Sequence, residues 1–256
     1  MDSVGILVIG NEVLSGKVEE ANARFLIGAL RDAGVKLERV VFVRDEVEQI
    51  AEDVREMAGR FDHVFTTGGV GGTHDDITMP AVAQAFDVAL ESHPEMLGLL
   101  EAFYGSNMNE ALLRMAQLPA GATLHYGEGS RVPVVRVRNV FVLPGAPKFL
   151  RGKLPAILPL LSGREIWLGE HFLRVPEEQV ADALGAADAL REDVEVGSYP
   201  QFGDADHSAK ITIEGPSAAA TSEVFEYLRR AWEGRDVILR SAEPRQVGGP
   251  RESAGS

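Results

Sequence analysis

A glycine-rich stretch at residues 66–78 carries the clearest chemical signal in the sequence. It reads Thr66-Thr67-Gly68-Gly69-Val70-Gly71-Gly72-Thr73-His74-Asp75-Asp76-Ile77-Thr78. The apolar run before it is typical of a buried strand, and the pattern after it predicts a helix with Pro80 in its first turn. Glycine lets backbone amides approach a ligand closely, and the start of a helix adds unpaired N–H groups. The stretch therefore predicts an anion-binding turn, and phosphate is the anion that fits it best.

Two adjacent carboxylates, Asp75 and Asp76, follow the glycines. Beside a phosphate they would repel it unless a divalent cation stood between them, and Mg²⁺ commonly bridges carboxylates to phosphates. We therefore predict a metal held by Asp75 and Asp76. The alternative is that one of the two acids only caps the next helix. The stretch has neither the Gly-Lys-Ser/Thr ending of a P-loop nor the glycine spacing of a dinucleotide fold.

Alternating strands and helices position this stretch. The apolar run Val4–Ile9 predicts a strand covered on both faces, residues 21–33 predict an amphipathic helix, and residues 35–43 predict a second strand. Asp45 with Glu48 resembles a capping box that opens the following helix. The alternation predicts an α/β fold, a three-layer sandwich around a mostly parallel sheet. Ligands of such sheets bind beyond the carboxyl ends of the strands.

Two further turns are expected at that edge of the sheet. Glu12 follows the first strand, and Pro144-Gly145-Ala146-Pro147 follows a pair of strands predicted at residues 132–137 and 140–143. The proline-rich turn has two readings, a ligand loop or a sharp start for the helix predicted up to Leu161. Together with the turns at Asp45 and Asp76, these segments form a candidate site at one edge.

A second, smaller domain is predicted after Gly163. Its elements alternate as β-α-β-β-α-β, with strands at residues 165–175, 194–199, 209–214 and 236–240 and helices at residues 177–190 and 217–232. This is the order of the split βαβ or ferredoxin-like plan. Gly197-Ser198-Tyr199-Pro200 predicts a strand ending in a turn, and a contact with the active site is the alternative. The predicted organisation is thus a domain over residues 1–163, a small α+β domain over 164–240 and a disordered Pro/Gly/Ser-rich tail over 241–256.

The composition limits the classes of function. The 256 residues include 45% hydrophobic and 25% charged residues, as in globular proteins, and the formal charge of −14 argues against nucleic acid as a partner. No cysteine is present, which excludes disulfides, thiolate metal sites and cysteine nucleophiles. The sequence shows neither a transmembrane run nor a secretory signal, so we expect a cytoplasmic protein without a membrane partner.

These motifs resemble those of the molybdopterin-binding, or MoaB/Mog-like, family. The first domain is similar to the N-terminal domain of the competence/damage-inducible protein A (CinA) family and to the corresponding domain of FAD synthases. The matching segments are Gly10-Asn11-Glu12-Val13-Leu14-Ser15-Gly16 with Asn22, Arg44-Asp45-Glu46, the glycine-rich stretch, and Leu143-Pro144-Gly145-Ala146-Pro147. The small domain resembles the KH-like middle domain of the same family. Relatives are commonly dimers or trimers, so a homo-oligomer is expected.

The resemblance implies which residues form the site. Asp76 and Asp45 stand where relatives handle metal and pyrophosphate, and with Glu12 they are the predicted catalytic residues. The predicted ligand-binding residues come from the glycine-rich stretch, the proline-rich turn and the first helix: Thr67, Gly68, Gly69, Val70, Gly71, Gly72, Thr73, Thr78, Asn22, Pro144, Gly145 and Pro147. The sequence departs from the family pattern at three places. Gly72 replaces the usual proline, and Asn11 replaces a frequent aspartate. The Asn-x-x-Gly-Thr-Ala-Pro-Gly segment of the competence-protein branch is not recognisable, and residues 126–130 lie near its place.

The implied activity is metal-dependent hydrolysis of a nucleotide diphosphate such as ADP-ribose or FAD, with Mg²⁺, Mn²⁺ or Co²⁺ as the metal. Glu12 or Asp45 would accept a proton from the attacking water, and His74 is an alternative base. Two other functions are open: a module that holds molybdopterin or a nucleotide without turning it over, and transfer of AMP onto molybdopterin. One site can serve several chemistries, so the fold alone does not decide among them.

Overall fold

The computed structural model describes residues 1–203 and 206–250. The chain forms two compact units. The first comprises Met1–Arg31 and Val35–Ser162, and the second comprises Asp32–Gly34 and Gly163–Pro250. Within the described residues no helix is long and apolar enough to cross a membrane.

The first unit alternates strands and helices as the sequence predicts. Its strands are β1 (Ser3–Ile9), β2 (Lys36–Val43), β3 (His63–Thr67), β4 (Leu90–Ser92), β5 (Gln117–Pro119), β6 (Thr123–His125), β7 (Val134–Val137) and β8 (Val140–Leu143). Its helices are α1 (Asn11–Leu14), α2 (Asn22–Asp32), α3 (Val47–Arg60), α4 (Thr78–Ala85), α5 (Pro94–Tyr104), α6 (Glu110–Met115), α7 (Pro147–Arg151) and α8 (Leu154–Ile157).

Six of these strands form one sheet in the order β2-β1-β3-β8-β7-β6. The first four run parallel, whereas β7 and β6 are antiparallel to their neighbours. The interior strand β1 is buried from Val4 onwards, as its continuous apolar run requires. Strands β4 and β5 form a separate antiparallel pair. The predicted α/β sandwich with a mostly parallel sheet is confirmed.

Helix α3 packs closely on the sheet. A Cβ atom at Gly5 of β1 would lie 2.5 Å from the Met57 side chain and 2.6 Å from the Phe61 ring. Only glycine permits this approach, which places apolar side chains of α3 directly on β1. The core cluster here includes Ile50, Val54, Met57 and Phe61 together with Leu7 and Ile9. The position of β1, and so of the turn that follows it, is fixed by this packing.

Two predictions of helix structure are wrong in detail. Asp45 does not cap α3, because the N-cap is Glu46 without a side-chain hydrogen bond, and the Asp45 carboxylate accepts a bond from elsewhere. The single helix predicted up to Leu161 is instead α7, α8 and a 3₁₀ turn, Leu158–Leu160. Pro155 and Pro159 stand at the starts of the last two of these elements, where a missing N–H costs little.

The second unit contains a four-stranded antiparallel sheet and two helices. Its elements are β9 (Ile166–Leu173), α9 (Ala181–Asp188), β10 (Glu195–Pro200), β11 (Ala209–Gly215), α10 (Ala218–Ala231) and β12 (Ile238–Gly248). The strand order β10-β11-β9-β12 is that of the split βαβ plan, which confirms the predicted topology. The predicted helix at residues 177–190 is divided into a 3₁₀ turn, Glu177–Gln179, and α9.

A buried histidine lies in the core of this unit. His171 of β9 is fully buried, its ring stacks on Phe225 at 4.1 Å between centroids, and its plane is nearly perpendicular to that of the Trp232 ring. One ring nitrogen lies 2.7 Å from the Ser241 hydroxyl and the other lies 3.1 Å from the Phe225 carbonyl oxygen. Burial lowers the pKa of His171, and both ring nitrogens are satisfied in the neutral form.

The prediction of a disordered tail from residue 241 is wrong for residues 241–248. These residues continue β12, which pairs with β9 from Ile238 opposite Leu173 to Gly248 opposite Ile166. The register shifts between Ala242 and Arg245, and this irregularity accommodates Pro244 in an edge strand. The polar composition of residues 241–248 suggested a loop. An edge strand can be equally polar, because it has little apolar surface to bury. Residues 251–256, the end of the predicted tail, lie outside the described residues.

Candidate functional site

The turns singled out in the sequence meet at the carboxyl edge of the parallel strands. The Gly10 N–H after β1 donates to the Val43 carbonyl of β2 at 3.1 Å, and the Gly68 N–H after β3 donates to the Leu143 carbonyl of β8 at 3.3 Å. A Cβ atom at Gly145 would lie 3.3 Å from the Gly68 Cα. The ends of four neighbouring strands therefore bring together the segments that the sequence predicted as one site.

The glycine loop, residues 68–73, is anchored at its base by Gly68. This residue has φ of 103°, and a Cβ atom on it would lie 2.0 Å from the Ile9 carbonyl oxygen. Both the positive φ and the close backbone approach require glycine. The buried hydroxyl of Thr78 donates to the Gly68 carbonyl at 2.7 Å, and the Thr78 N–H donates to the Gly69 carbonyl at 3.1 Å. The loop thus bends back onto the start of α4.

The middle of the glycine loop presents unused donors. The N–H groups of Gly69, Val70, Gly71 and Gly72 donate to no group in the part of the chain that the structure describes. All four residues are half-buried. Buried or half-buried backbone N–H groups are nearly always paired with protein, water or ligand. Four successive donors without a protein partner are suited to hold the oxygens of a phosphate.

Asp76 closes the other end of the glycine loop. Its Oδ2 accepts hydrogen bonds from the Thr73 N–H at 2.8 Å and from the Thr73 hydroxyl at 2.5 Å, and it lies beside Gly71, where a Cβ would be 2.4 Å away. Its Oδ1 takes part in no hydrogen bond with the described residues. Asp75 is exposed, and hydrogen bonding from the Thr73 hydroxyl, which Asp75 shares with Asp76, holds the pKa of Asp75 below the usual range. The Asp76 Oδ1 and the Asp75 carboxylate are therefore available to a cation.

Asp45 and Glu12 lie together at the turn after β1. The Asp45 Oδ2 accepts a hydrogen bond from the Asn11 N–H at 2.7 Å. The Glu12 carboxylate folds back on the same turn, with its Oε1 2.6 Å from where a Cβ of Gly10 would stand. Asp45 is half-buried and Glu12 is exposed. Because β1 lies between β2 and β3, the backbone of β2, which Asp45 follows, is about 10 Å from that of β3, which the glycine loop follows.

Three of the predicted ligand contacts are used to hold the site together. The Asn22 side-chain amide donates to the Thr67 hydroxyl at 3.0 Å and to the Gly145 carbonyl at 2.6 Å. The Thr67 hydroxyl donates in turn to the Pro144 carbonyl at 3.1 Å. Asn22, Thr67 and Thr78 are buried, and their side chains tie α2, β3, α4 and the proline-rich turn to one another. The Asn22 Oδ1 keeps an unpaired acceptor, so a ligand contact by this residue stays a prediction.

The proline-rich turn forms an exposed rim. Pro144 is half-buried, whereas Gly145 and Pro147 are exposed and α7 begins at Pro147. The turn starts a helix, as one interpretation of its sequence predicts, and it lies at the carboxyl edge, where a ligand contact stays a prediction.

Comparison with known proteins identifies the family. The family model described as probable molybdopterin binding domain matches residues 5–163, and the model described as FAD synthase, middle domain, matches residues 166–240. The chain belongs to the molybdopterin-binding domain family. The resemblance to CinA-like proteins and FAD synthases is confirmed with it.

Relatives of this molybdopterin-binding family member differ in length. A protein of Aeropyrum pernix is 37% identical over 257 residues, covering 95% of this chain and 94% of its own. The "Probable FAD synthase" of Caenorhabditis elegans is 29% identical, and the match covers 93% of this chain but only 51% of that protein. The crystal structure of CinA from Thermoplasma acidophilum is 26% identical with a TM-score of 0.55 and covers 60% of this chain and 96% of its own.

A divalent metal at this site would need ligands in addition to the protein side chains. In residues 1–203 and 206–250 no group of three or more His, Asp or Glu side chains is placed to hold a metal ion. Mg²⁺ does not need such a cage, because it is commonly bound by one or two carboxylates and completed by substrate phosphates and water. The free Oδ1 of Asp76 and the carboxylate of Asp75, next to the unpaired loop amides, match this second arrangement.

Sequence reasoning missed Arg114 of α6. Its guanidinium donates two hydrogen bonds to the Gly72 carbonyl, at 2.7 and 3.1 Å. The Ala111 carbonyl stands 2.5 Å from where a Cβ of Gly72 would lie. Helix α6 therefore packs against Gly72, the position at which the family pattern has a proline. No spacing in the sequence links Arg114 to residue 72, so only the tertiary structure reveals the contact.

Proposed function

We propose that this family member binds a nucleotide diphosphate of the ADP-ribose or FAD type and hydrolyses its pyrophosphate with the help of a divalent metal. The observation that supports the proposal most strongly is the run of unpaired N–H groups at Gly69–Gly72, beside two carboxylates. The donors favour a phosphate, and the acids require a cation between them and that phosphate. The similarity to proteins named FAD synthase supports a ligand that contains a nucleotide.

The reaction would proceed by attack of water on one phosphorus atom. A new P–O bond forms while the bridging P–O bond breaks, and the leaving phosphate keeps the electron pair. The proton of the attacking water passes to Asp45 or Glu12. The Asn11 N–H holds one oxygen of Asp45, so the other oxygen is left in a fixed orientation to accept that proton.

The residues of the glycine loop would bind and orient the diphosphate. Its amides hold one phosphate, and Asp75 with Asp76 would hold the metal. When bound, the metal supplies positive charge that neutralises the charge developing on the pyrophosphate. Thr73 fixes the Asp76 carboxylate through its N–H and hydroxyl, so that the free oxygen does not turn away from the ligand.

Product analysis tests the proposal. The protein is incubated with ADP-ribose or FAD and Mg²⁺, Mn²⁺ or Co²⁺, and release of AMP is measured. We expect Asp45→Asn to lower the rate by on the order of 10²-fold through loss of the base. Asp76→Asn should raise the metal concentration needed for half-maximal rate. AMP release by Asp76→Asn with the metal dependence of the original protein would refute the assignment of Asp76.

A matched control is available at Asp87. This residue follows the end of α4, opposite the end at which α4 meets the glycine loop, and it has φ of 54°. Asparagine tolerates this backbone conformation well. Asp87→Asn removes the same charge as the site variants and should leave AMP release unchanged.

The second candidate is a module that binds molybdopterin or a nucleotide without turnover. The description of the matching family model, probable molybdopterin binding domain, favours it. Calorimetry with AMP, ADP-ribose and FAD separates the two functions, since the module binds a ligand but releases no AMP with any metal. Transfer of AMP onto molybdopterin is the third function that the sequence leaves open. It predicts that ATP is consumed only when molybdopterin is added.

A homo-oligomer is proposed as the assembly. Helices α5 and α6 expose apolar side chains, among them Phe103 (74% exposed), Leu113 and Met115. Large apolar side chains left exposed on neighbouring helices in sequence are one source of protein–protein contacts. Light scattering after size exclusion measures the mass directly. A monomeric mass at every concentration would contradict this proposal.

A further inference from the structure

The Arg114 side chain of α6 is exposed, yet its partner is a single backbone carbonyl of the glycine loop. Its Nη2 and Nε donate to the Gly72 carbonyl oxygen at 2.7 and 3.1 Å. Among the residues that the structure describes, no carboxylate forms an ion pair with this guanidinium. A planar guanidinium that makes two bonds to one oxygen is held in one orientation. The contact is therefore a defined one between a cation and a peptide group.

Helix α6 meets Gly72 with two residues of one face. Ala111 and Arg114 are three positions apart and so are neighbours on the helix surface. The Ala111 carbonyl oxygen lies 2.5 Å from where a Cβ atom of Gly72 would stand, and Arg114 bonds the carbonyl of the same glycine. The opposite side of α6 is anchored by the buried Leu112 and Ala116. The helix that carries Arg114 is thus fixed against the glycine loop.

The peptide group between Gly72 and Thr73 connects this cation to a carboxylate. The Gly72 carbonyl and the Thr73 N–H belong to one planar unit, so their directions are fixed relative to each other. The Thr73 N–H donates to the Asp76 Oδ2 at 2.8 Å, while the carbonyl accepts from Arg114. A hydrogen bond to the carbonyl polarises the peptide group and makes its N–H a stronger donor. Arg114 therefore acts on Asp76 through one rigid group.

We infer that Arg114 is a positioning residue for a divalent metal at Asp76. By fixing the Gly72–Thr73 peptide group, Arg114 holds the Oδ2 of Asp76 and leaves the unpaired Oδ1 in a constant orientation for the cation. Residues that hold a metal ligand from behind commonly govern the affinity for the metal. This inference rests on the proposed assignment of Asp76 to a metal, but it does not depend on hydrolysis.

Nuclear magnetic resonance of the backbone amides tests the first step without metal or ligand. Arg114→Met removes the charge and both donors at an exposed helix position, and methionine forms helices about as well as arginine. We expect the Thr73 amide proton to move upfield and to exchange faster with solvent, because its bond to Asp76 weakens. The amides of Gly69 and Val70 should keep their signals. An unchanged Thr73 amide, or an equal change at all three residues, would overturn the inference.

Arg55 of α3 provides a matched control. It is also an exposed helical arginine, and the same two atoms donate to backbone carbonyls, Nε to Ala85 at 3.1 Å and Nη2 to Gln84 at 3.2 Å. These acceptors lie at the end of α4, whereas the glycine loop meets its start. Arg55→Met therefore removes the same charge and the same number of bonds away from the loop. It should leave the Thr73 amide and the metal affinity unchanged, and an effect equal to that of Arg114→Met would overturn the inference.

Binding of Mn²⁺ in the presence of AMP tests the second step. Electron paramagnetic resonance measures the free Mn²⁺ and so gives its Kd. We expect Arg114→Met to raise this Kd about 10-fold, as loss of a residue behind a metal ligand does. Arg114→Lys keeps the charge and one donor, so both the Kd and the Thr73 signal should recover in part.

The outcomes separate this inference from the proposed function. An unchanged Kd in Arg114→Met would overturn the inference alone. A Kd restored by Arg114→Lys while the Thr73 signal stays as in Arg114→Met would show that the charge acts through space, and this result would also overturn it. If the original protein binds no Mn²⁺ with AMP, the proposed metal site is refuted and the inference with it. Hydrolysis is decided separately by AMP release.

Discussion

Replacement of Thr78 by valine isolates one hydrogen bond that shapes the glycine loop. The side chain is fully buried, and its hydroxyl donates to the Gly68 carbonyl at 2.7 Å. Valine has nearly the same shape, so the main change is a buried carbonyl oxygen that loses its partner. Leaving such a group unsatisfied costs about 2 kcal/mol. In a chain of this size, that loss corresponds to a fall in Tm of about 4–8 °C.

The same substitution at Thr66 is the matched control. Thr66 is also fully buried, in the same strand as Thr67, but its hydroxyl has no hydrogen-bond partner. Thr66→Val therefore removes an unsatisfied polar group and adds a residue that strands favour. We expect no loss of stability, and a gain of about 1 kcal/mol when no water is bound to the Thr66 hydroxyl.

Calorimetry measures both variants. Trp167 and Trp232, the only tryptophans in the sequence, belong to the second unit, so tryptophan fluorescence does not report on unfolding of the first. Thr78→Val should also weaken phosphate binding, since the loop loses a contact at its base. If Thr66→Val lowers the Tm as much as Thr78→Val does, the cost comes from the valine itself and the hydrogen-bond argument is refuted.

Further predictions concern pH and glycine. The folded-state pKa of His171 is lowered by burial, so stability is full above the unfolded pKa of about 6.5 and is lost as pH falls below it. Denaturant unfolding followed by Trp232 fluorescence from pH 7.5 to 5.5 should show this loss. His171→Gln should make the free energy of unfolding depend less on pH, and an equal pH dependence in the variant would contradict the prediction. Gly72→Ala places a Cβ 2.5 Å from the Ala111 carbonyl, which costs about 1–3 kcal/mol and weakens phosphate binding. Gly98→Ala, in open space on α5, should instead stabilise the protein by about 1 kcal/mol, as thermal unfolding of both variants would show.

The sequence predicted the sheet and its edge because both depend on local patterns. A continuous apolar run marks β1, and glycines mark the loop after β3, where Gly68 needs a positive φ. These features can be recognised from the local sequence alone, without knowing which segments lie nearby in the fold. The parallel order then follows from the alternation of strands and helices.

Contacts between distant segments could not be predicted in this way. Asp45 and Glu48 have the spacing of a capping box, yet the Asp45 carboxylate bonds to Asn11, 34 residues away in sequence. Arg114 reaches Gly72 across 42 residues, and Lys153 reaches Val132 across 21. Each of these polar contacts depends on where the strands place the backbone. The sequence names the residue types but not their partners.

The four unpaired amides of Gly69–Gly72 also bear on how the protein is handled. In the absence of a ligand, water hydrates these donors, and any small oxyanion competes with water for them. Sulfate and phosphate, common in purification and crystallisation, would then act as inhibitors and mask weak binding of a nucleotide. Assays in buffers free of oxyanions should give higher apparent affinities, and stepwise addition of sulfate should lower them.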